Sequence, residues 1–214
     1  ALAFSRDGKL LVSSDENGNV FTHETGSWRQ RRIKTGRPDL ISIAISPDAK
    51  RIATASIHGA LDIWHTSDGA HLRSVTEHRN KLWKVRFTPA GDRLAVASWD
   101  GTVRLWNAQT FRFAGTIDGS DHWVTDIAFS PDGAHLLTTD WAGAVRLWRA
   151  GDIRPMFYAV RDNERETLVG TYSRDGSRFV TGSRDRLARL YRVTEGGDLL
   201  PVCSVSHENW VNSV

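Results

Sequence analysis

Short apolar runs alternate with polar positions between residues 81 and 106, in the stretch KLWKVRFTPAGDRLAVASWDGTVRLW. Three such runs, Leu82–Phe87, Arg93–Ala97 and Thr102–Trp106, are separated by the turn signals Pro89-Ala-Gly91 and Asp100-Gly101. Alternation over about five positions, bounded by Pro, Gly and Asp, is typical of half-buried strands joined by tight hairpins. The pattern therefore predicts three consecutive antiparallel strands in this stretch.

The same unit recurs along the whole chain. Its first turn begins with a hydroxyl residue, which stands at Ser5, Ser46, Thr88, Ser130 and Ser173, with spacings of 41, 42, 42 and 43 residues. Eighteen residues after the last four of these, the third strand ends in Ile63-Trp64, Leu105-Trp106, Leu147-Trp148 and Leu190-Tyr191. A fixed period in the low forties with four strands per unit is the sequence signature of a propeller blade.

These residues resemble the WD-repeat (WD-40) β-propeller family, and the resemblance covers nearly the whole chain. It implies an all-β fold in which residues 1–214 form one propeller region. The implied four-stranded blades are 1–35, 36–77, 78–119, 120–162 and 163–206, and residues 207–214 repeat the opening of a sixth blade. Members of the family usually close their rings with about seven blades, so these blades are expected to belong to a seven-bladed ring in a longer chain.

The resemblance also implies a structural role for one group of polar residues in blade three. In WD-repeat proteins a His before the first strand, a Ser or Thr on the second, an Asp in the next turn and a Trp on the third form a buried hydrogen-bonded set. Blade three matches this set with His78, Ser98, Asp100 and Trp106, whereas blade five has Asn163 in place of the His. The His, Asp and Ser are therefore expected to tie the blade together rather than to form a catalytic triad.

Composition narrows the class of protein. Of 214 residues, 40% are hydrophobic and 25% charged, which is typical of a soluble globular chain, and no apolar run approaches the roughly 18 residues of a membrane span. The chain opens on repeat sequence, so no signal peptide is visible, and its single cysteine, Cys203, excludes an internal disulfide framework. These features predict a cytoplasmic protein with no membrane partner, and the Arg-rich basic set hints at a bacterial genome.

Charge and motifs point away from catalysis. The net charge of +3 is not clustered, apart from the run Arg29-Gln-Arg31-Arg32-Ile-Lys34, which is predicted to be a solvated edge in an outer strand. The chain contains no metalloprotease, nucleophile-elbow or phosphate-loop motif, and the spacing of His58, His65 and His71 does not suit a metal site. We therefore expect no enzyme activity, no cofactor and no metal.

The phase of the repeat predicts which side chains reach the face on which propellers of this family bind partners. These are the third and fifth residues after the His position, such as Trp123 and Thr125 in blade four, and the residue before the turn Asp. Five of the nine tryptophans fall at these positions. The predicted partner-binding residues are Lys81, Trp83, Trp99, Trp123, Trp141, Arg184 and Trp210. Large aromatic side chains beside cations are typical of protein–protein hot spots, although an individual indole at such a position can also pack against a neighbouring blade or line the channel.

Two functional hypotheses follow. The first is a non-catalytic interaction scaffold or sensor that binds a protein or peptide on the Trp-rich face. By analogy with bacterial proteins of this kind, it would belong to a larger multidomain signalling protein with effector domains in the same chain. The alternative is a nucleic-acid-binding propeller that uses stacked aromatics and Arg.

Overall fold

The computed structural model describes residues 1–75, 78, 80–118, 120–151, 155–160, 165–194 and 198–214, with the backbone alone described for residues 155–160. The secondary structure of these residues consists of β-strands, and twenty strands form five four-stranded antiparallel sheets. Within each sheet the strands are hydrogen-bonded in chain order, as in a propeller blade. The predicted all-β fold of propeller blades is confirmed, and the sheets are called blades one to five below.

The strands follow one another at regular intervals. Blade one contains β1 (Leu2–Phe4), β2 (Leu10–Ser14), β3 (Asn19–Glu24) and β4 (Gln30–Lys34), and blade two contains β5 (Leu40–Ile45), β6 (Arg51–Ser56), β7 (Leu61–His65) and β8 (His71–Val75). Blade three contains β9 (Leu82–Phe87), β10 (Arg93–Ser98), β11 (Thr102–Asn107) and β12 (Phe113–Asp118). Blade four contains β13 (Val124–Phe129), β14 (His135–Asp140), β15 (Val145–Arg149) and β16 (Pro155–Val160). Blade five contains β17 (Thr167–Tyr172), β18 (Arg178–Ser183), β19 (Leu187–Val193) and β20 (Leu199–Ser206).

The chain divides into two compact units, residues 1–100 with 104–114 and residues 101–103 with 115–214. In the first unit, β6 shows why the inner strands of a blade are almost wholly apolar or small. Ile52 packs into a cluster shared with blade one, whereas Ala53 and Ala55 pack into a cluster shared with blade three. A strand that is covered on both faces loses the alternation of a half-exposed one.

The first hairpin of each blade is closed by the hydroxyl of the repeat. In blades one, two, four and five the Ser Oγ donates to the Asp two residues later at 2.5–2.7 Å, in the pairs Ser5–Asp7, Ser46–Asp48, Ser130–Asp132 and Ser173–Asp175. The same oxygen accepts the backbone N–H that opens the second strand at 2.9–3.0 Å. In blade three Ala90 replaces this Asp, and Thr88 donates to Asp92 at 2.6 Å instead.

The Ser hydroxyl stabilises the charged carboxylate in these turns and so lowers its pKa. The pKa values of Asp7, Asp48 and Asp132 lie below the ordinary value for this reason. The pKa of Asp175 falls to about 2 because both Ser173 and Ser177 donate to it.

The tryptophan at the end of the third strand is held by a residue that the sequence did not predict. Trp64 Nε1 donates to Thr54 Oγ1 at 3.0 Å in blade two, and Trp148 Nε1 donates to Thr138 Oγ1 at 2.9 Å in blade four. Each threonine stands eight residues after the turn hydroxyl. In blade three that position is Val96, and the buried Nε1 of Trp106 has no hydrogen-bond partner among the described residues.

The expected hydrogen-bonded set of blade three is therefore not closed. His78 is buried, and its Nδ1 lies 3.6 Å from Asp100 Oδ2, beyond hydrogen-bond distance. Ser98 Oγ does not reach the imidazole or the indole, because it donates to the Lys81 carbonyl and accepts the Asp100 N–H, both at 3.1 Å. Blade four has a connected set instead, in which Ser120 Oγ donates to Asp140 Oδ2 at 2.8 Å.

The last residues of the chain lie against blade five. Residues 207–214, predicted as the first strand of a further blade, form no strand in the structure. Val211 is buried and its N–H donates to the Ser183 carbonyl at 3.1 Å. Asn163, predicted at the His position of blade five, lies outside the described residues.

Candidate functional site

The backbone brings together two of the predicted partner-binding positions of a blade, the third residue after the His position and the residue before the turn Asp. In blades three, four and five, the N–H of the residue before the turn Asp position donates to the carbonyl of the residue that precedes the first strand. The pairs are Trp99 to Lys81 at 2.9 Å, Trp141 to Trp123 at 2.9 Å and Arg184 to Glu166 at 3.0 Å. Side chains at these two positions are therefore neighbours, whatever residues occupy them.

In the first unit, Lys81, Trp83 and Trp99 form a contiguous group, called the Lys81 cluster below. The Trp83 and Trp99 rings stack at 5.2 Å between centroids with an interplanar angle of 29°. The ammonium of the exposed Lys81 lies 4.7 Å from the centroid of the Trp99 ring. This cation–π contact holds a positive charge over an aromatic surface that is itself half-buried.

In the second unit, Trp123, Trp141, Arg184 and Trp210 form the Arg184 cluster. The guanidinium carbon of Arg184 lies 4.6 Å from the centroid of Trp141 and 4.3 Å from that of Trp210. Trp123 extends the cluster, with its ring centroid 5.1 Å from that of Trp141. Trp123 and Trp210 are 37% and 49% exposed, so the cluster presents apolar area to solvent.

Arg184 is restrained on several sides within this cluster. The flat guanidinium packs on both indole rings, an arrangement that its delocalised and weakly hydrated charge favours. Arg184 Nη1 also lies 3.5 Å from Glu166 Oε1. Glu166 was not among the predicted partner-binding residues, although it stands at an outward position of the repeat. Its position before the first strand of blade five, equivalent to Lys81, was the signal that could have identified it.

The structure thus groups all seven predicted residues into two clusters, but it corrects the rule that found them. Thr125, at the fifth position in blade four, is buried and does not reach the surface. Its hydroxyl bonds Thr139 Oγ1 at 2.9 Å and the Thr167 carbonyl. Residues at the fifth position differ in exposure, since Trp83 is half-buried and Asn212 is exposed, so the phase of the repeat alone does not determine which of them reach the surface.

The other four tryptophans belong to neither cluster. Trp64, Trp106 and Trp148 are buried within the blades, as predicted, and Trp28 is 69% exposed in the turn between β3 and β4. Trp28 lies on a part of blade one that contains no other tryptophan.

The two clusters provide apolar area and ordered positive charge. No group of three or more His, Cys, Asp or Glu in the described part of the chain is placed to hold a metal ion. Across the same residues, no helix has the length and apolar content that crossing a membrane requires.

Comparison with known proteins identifies the repeat. Residues 69–107 and 111–149 each match the family model described as WD domain, G-beta repeat. Each match runs from the outer strand of one blade, or just before it, through the three inner strands of the next. No curated protein matches the chain.

The chain contains WD repeats at residues 69–107 and 111–149, and its five four-stranded sheets are consistent with propeller blades of this family. WD repeats generally serve as protein-interaction scaffolds and are typically without enzymatic activity.

Proposed function

We propose that this chain is a non-catalytic interaction module that binds a protein or peptide through the Lys81 and Arg184 clusters. The observation that carries the proposal is the concentration of five tryptophans and two cations at equivalent positions of successive repeats. Tryptophan and arginine are the residues most enriched at the energetic centres of protein interfaces.

The geometry of the clusters supports binding with little loss of side-chain freedom. Arg184 is already ordered between two indole rings, and Lys81 already rests on Trp99. An arginine or lysine that is free in solution loses up to about 2 kcal/mol of rotamer entropy when a partner immobilises it. Pre-ordering therefore favours these cations as contacts for a partner's carboxylates and carbonyl oxygens.

The same geometry disfavours the alternative of a nucleic-acid-binding surface. Stacking of bases requires open aromatic faces. Arg184 covers one face each of Trp141 and Trp210, and Trp99 is contacted by both Lys81 and Trp83. The cations thus occupy surfaces on which bases would stack.

The proposal is tested by affinity capture from a lysate of the source organism with quantitative mass spectrometry. The immobilised wild-type chain is compared with Trp123→Ala/Trp210→Ala, which removes the two exposed indoles of the Arg184 cluster. Trp28→Ala is the matched control, because it removes an indole that is more exposed still but lies outside both clusters. Thermal melting establishes that all three chains fold alike.

We expect a protein that wild type and the Trp28 variant capture and the double variant does not. Equal capture by all three chains would refute the assignment of the Arg184 cluster. Capture that is abolished by nuclease treatment, or by moderate salt, would favour the nucleic-acid alternative, because phosphate contacts release counterions.

We further propose that the module acts as the sensor or docking part of a larger signalling protein. Binding residues on the turns of four-stranded sheets suit that role, because each sheet fixes the positions of the side chains at its ends. Co-purification of a full-length parent chain with the captured partner would support this part of the proposal.

A further inference from the structure

Blades one and two enclose a cleft of about 650 Å³ at the strand ends opposite to those that carry Asp39 and Ile57. Its walls come from the β1–β2 turn and the β3–β4 hairpin of blade one, and from the β5–β6 turn and the end of β7 in blade two. Both blades belong to the first compact unit. The size is within the range of roughly 300–1,000 Å³ that is usual for small-molecule sites.

The basic run from Arg29 to Lys34, predicted to be a solvated edge, has side chains on both sides of the sheet because β4 is pleated. Arg31 pairs with Thr22 across the hairpin, and Arg29 bonds to Glu24 through its backbone carbonyl, so both side chains lie on the side of the sheet that faces blade two. Arg29 and Arg31 accordingly line the cleft. Arg32 points to the other side, where Nε and Nη2 donate to Asn19 Oδ1 at 2.9 and 2.8 Å.

Four cations face the cleft from both walls. Lys9 and Lys50 join Arg29 and Arg31 in its lining, and within the described residues none of the four forms a salt bridge. Glu24 is the one carboxylate among the lining residues, and it already accepts a hydrogen bond from Ser27 Oγ at 2.7 Å. The lining therefore carries more cations than carboxylates, although Asp7 and Asp48 in the adjoining turns interact electrostatically with Lys9 and Lys50.

Two further features of the lining define the class of ligand. Thr66 is one of the lining residues, and its Oγ1 is shielded from solvent and has no hydrogen-bond partner among the described residues. The residues that line the described cleft include no Phe, Tyr or Trp, so a nucleobase would find only the small imidazole of His65 to stack on.

We propose that this cleft binds a compact, non-aromatic polyanion that carries several phosphate groups. Arg29 and Arg31 suit bidentate contacts to phosphate oxygens, whereas the lysines contribute compact charges from the two walls. The cleft shares no residue with the Lys81 and Arg184 clusters, so it would give the module a second binding activity.

The test is isothermal titration calorimetry of the chain with sodium tripolyphosphate at low ionic strength. The cleft variants are Arg29→Gln/Arg31→Gln in blade one and Lys50→Gln in blade two. The matched control, Arg6→Gln/Lys34→Gln, removes two exposed charges from blade one outside the cleft. All variants replace exposed side chains, and melting temperatures verify that they fold.

We expect a single site whose affinity falls by about tenfold or more in the double cleft variant, because hydrogen bonds to charged groups are strong. Lys50→Gln should weaken it less, and the control should change it by less than about twofold, since separated surface charges are screened. The proposal is overturned if wild type does not bind tripolyphosphate, or if the control loses as much affinity as the cleft variant. ATP should bind no more tightly than tripolyphosphate, and a clear gain from its adenosine would overturn the non-aromatic assignment.

Discussion

Replacing Val96 with Thr should stabilise the protein, although it places a hydroxyl in the core. Val96 is fully buried, and the buried Trp106 Nε1 beside it has no acceptor among the described residues. In blades two and four the threonine at the same repeat position accepts the indole N–H at 3.0 and 2.9 Å. Val96→Thr should supply that acceptor with almost no change in side-chain volume.

The sign of the effect depends on two opposed free energies. Burying a hydroxyl without a partner costs about 1–3 kcal/mol, and so does leaving a buried N–H without one. In blade two the hydroxyl of Thr54 accepts the indole N–H and also donates to the Asp62 carbonyl at 3.4 Å. If the new threonine makes the equivalent two bonds, we expect a net gain of about 0.5–1.5 kcal/mol in the free energy of unfolding. For a chain of this size the melting temperature should rise by about 2–4 °C per kcal/mol.

Denaturant unfolding measures the stability, and NMR exchange of the Trp106 indole N–H provides a local readout, which should slow. The reverse change, Thr138→Val, should destabilise blade four by about 1–2 kcal/mol, because it leaves the Trp148 N–H without its acceptor. The decisive control is Val96→Thr in a chain that also carries Trp106→Phe, where no N–H remains and the gain must disappear. A loss of stability from Val96→Thr in the wild-type chain would refute the reasoning.

Three further outcomes are expected. His78→Ala should lower the free energy of unfolding by roughly 1–3 kcal/mol, because the side chain is almost fully buried beside a carboxylate; an unchanged melting midpoint would contradict its structural role. Because the pKa of Asp175 is lowered to about 2, the stability contributed by that carboxylate is present above its ordinary pKa of 3.8 and lost as pH falls towards 2. Ser173→Ala should therefore raise the pKa of Asp175 in an NMR titration and weaken the acid dependence, and an unmoved titration would disprove the role of the hydroxyl. Gly8 and Gly18 both have positive φ, but only at Gly18 would an added Cβ clash with the Arg37 carbonyl oxygen. Gly8→Ala should cost about 1–2 kcal/mol and Gly18→Ala clearly more in the same unfolding assay, whereas equal costs would show that the chain relaxes around the contact.

The strands were predictable because their signals are local. The three inner strands of blade three begin at the predicted residues, and two of them extend one residue further than expected. The repeat also placed Lys81 and Trp99 on one predicted face, and in the structure a backbone hydrogen bond joins the two positions. The position of Trp210 followed from the same phase, and its ring lies against Arg184.

What the sequence could not reveal depends on side-chain direction and on neighbouring blades. Nothing local to Thr125 distinguishes a surface position from an enclosed one, because its burial comes from a neighbouring blade. The run from Arg29 to Lys34 was interpreted as one charged edge, although the pleat turns Arg29 and Arg31 away from Arg32. The cleft that they line is visible only when blade two is in place.

In each repeat the Ser or Thr hydroxyl closes the first hairpin through hydrogen bonds that span only a few residues. Its partners, such as Ser130, Asp132 and the backbone of His135, are contained in one hairpin and need no contact from another blade. Such short-range closure allows the hairpin to form early in folding, before loops between blades are ordered. A duplicated repeat therefore contains all the residues that close its own first hairpin. The substitution in blade three, where Asp92 replaces the missing carboxylate, shows that the copies can diverge while this closure is retained.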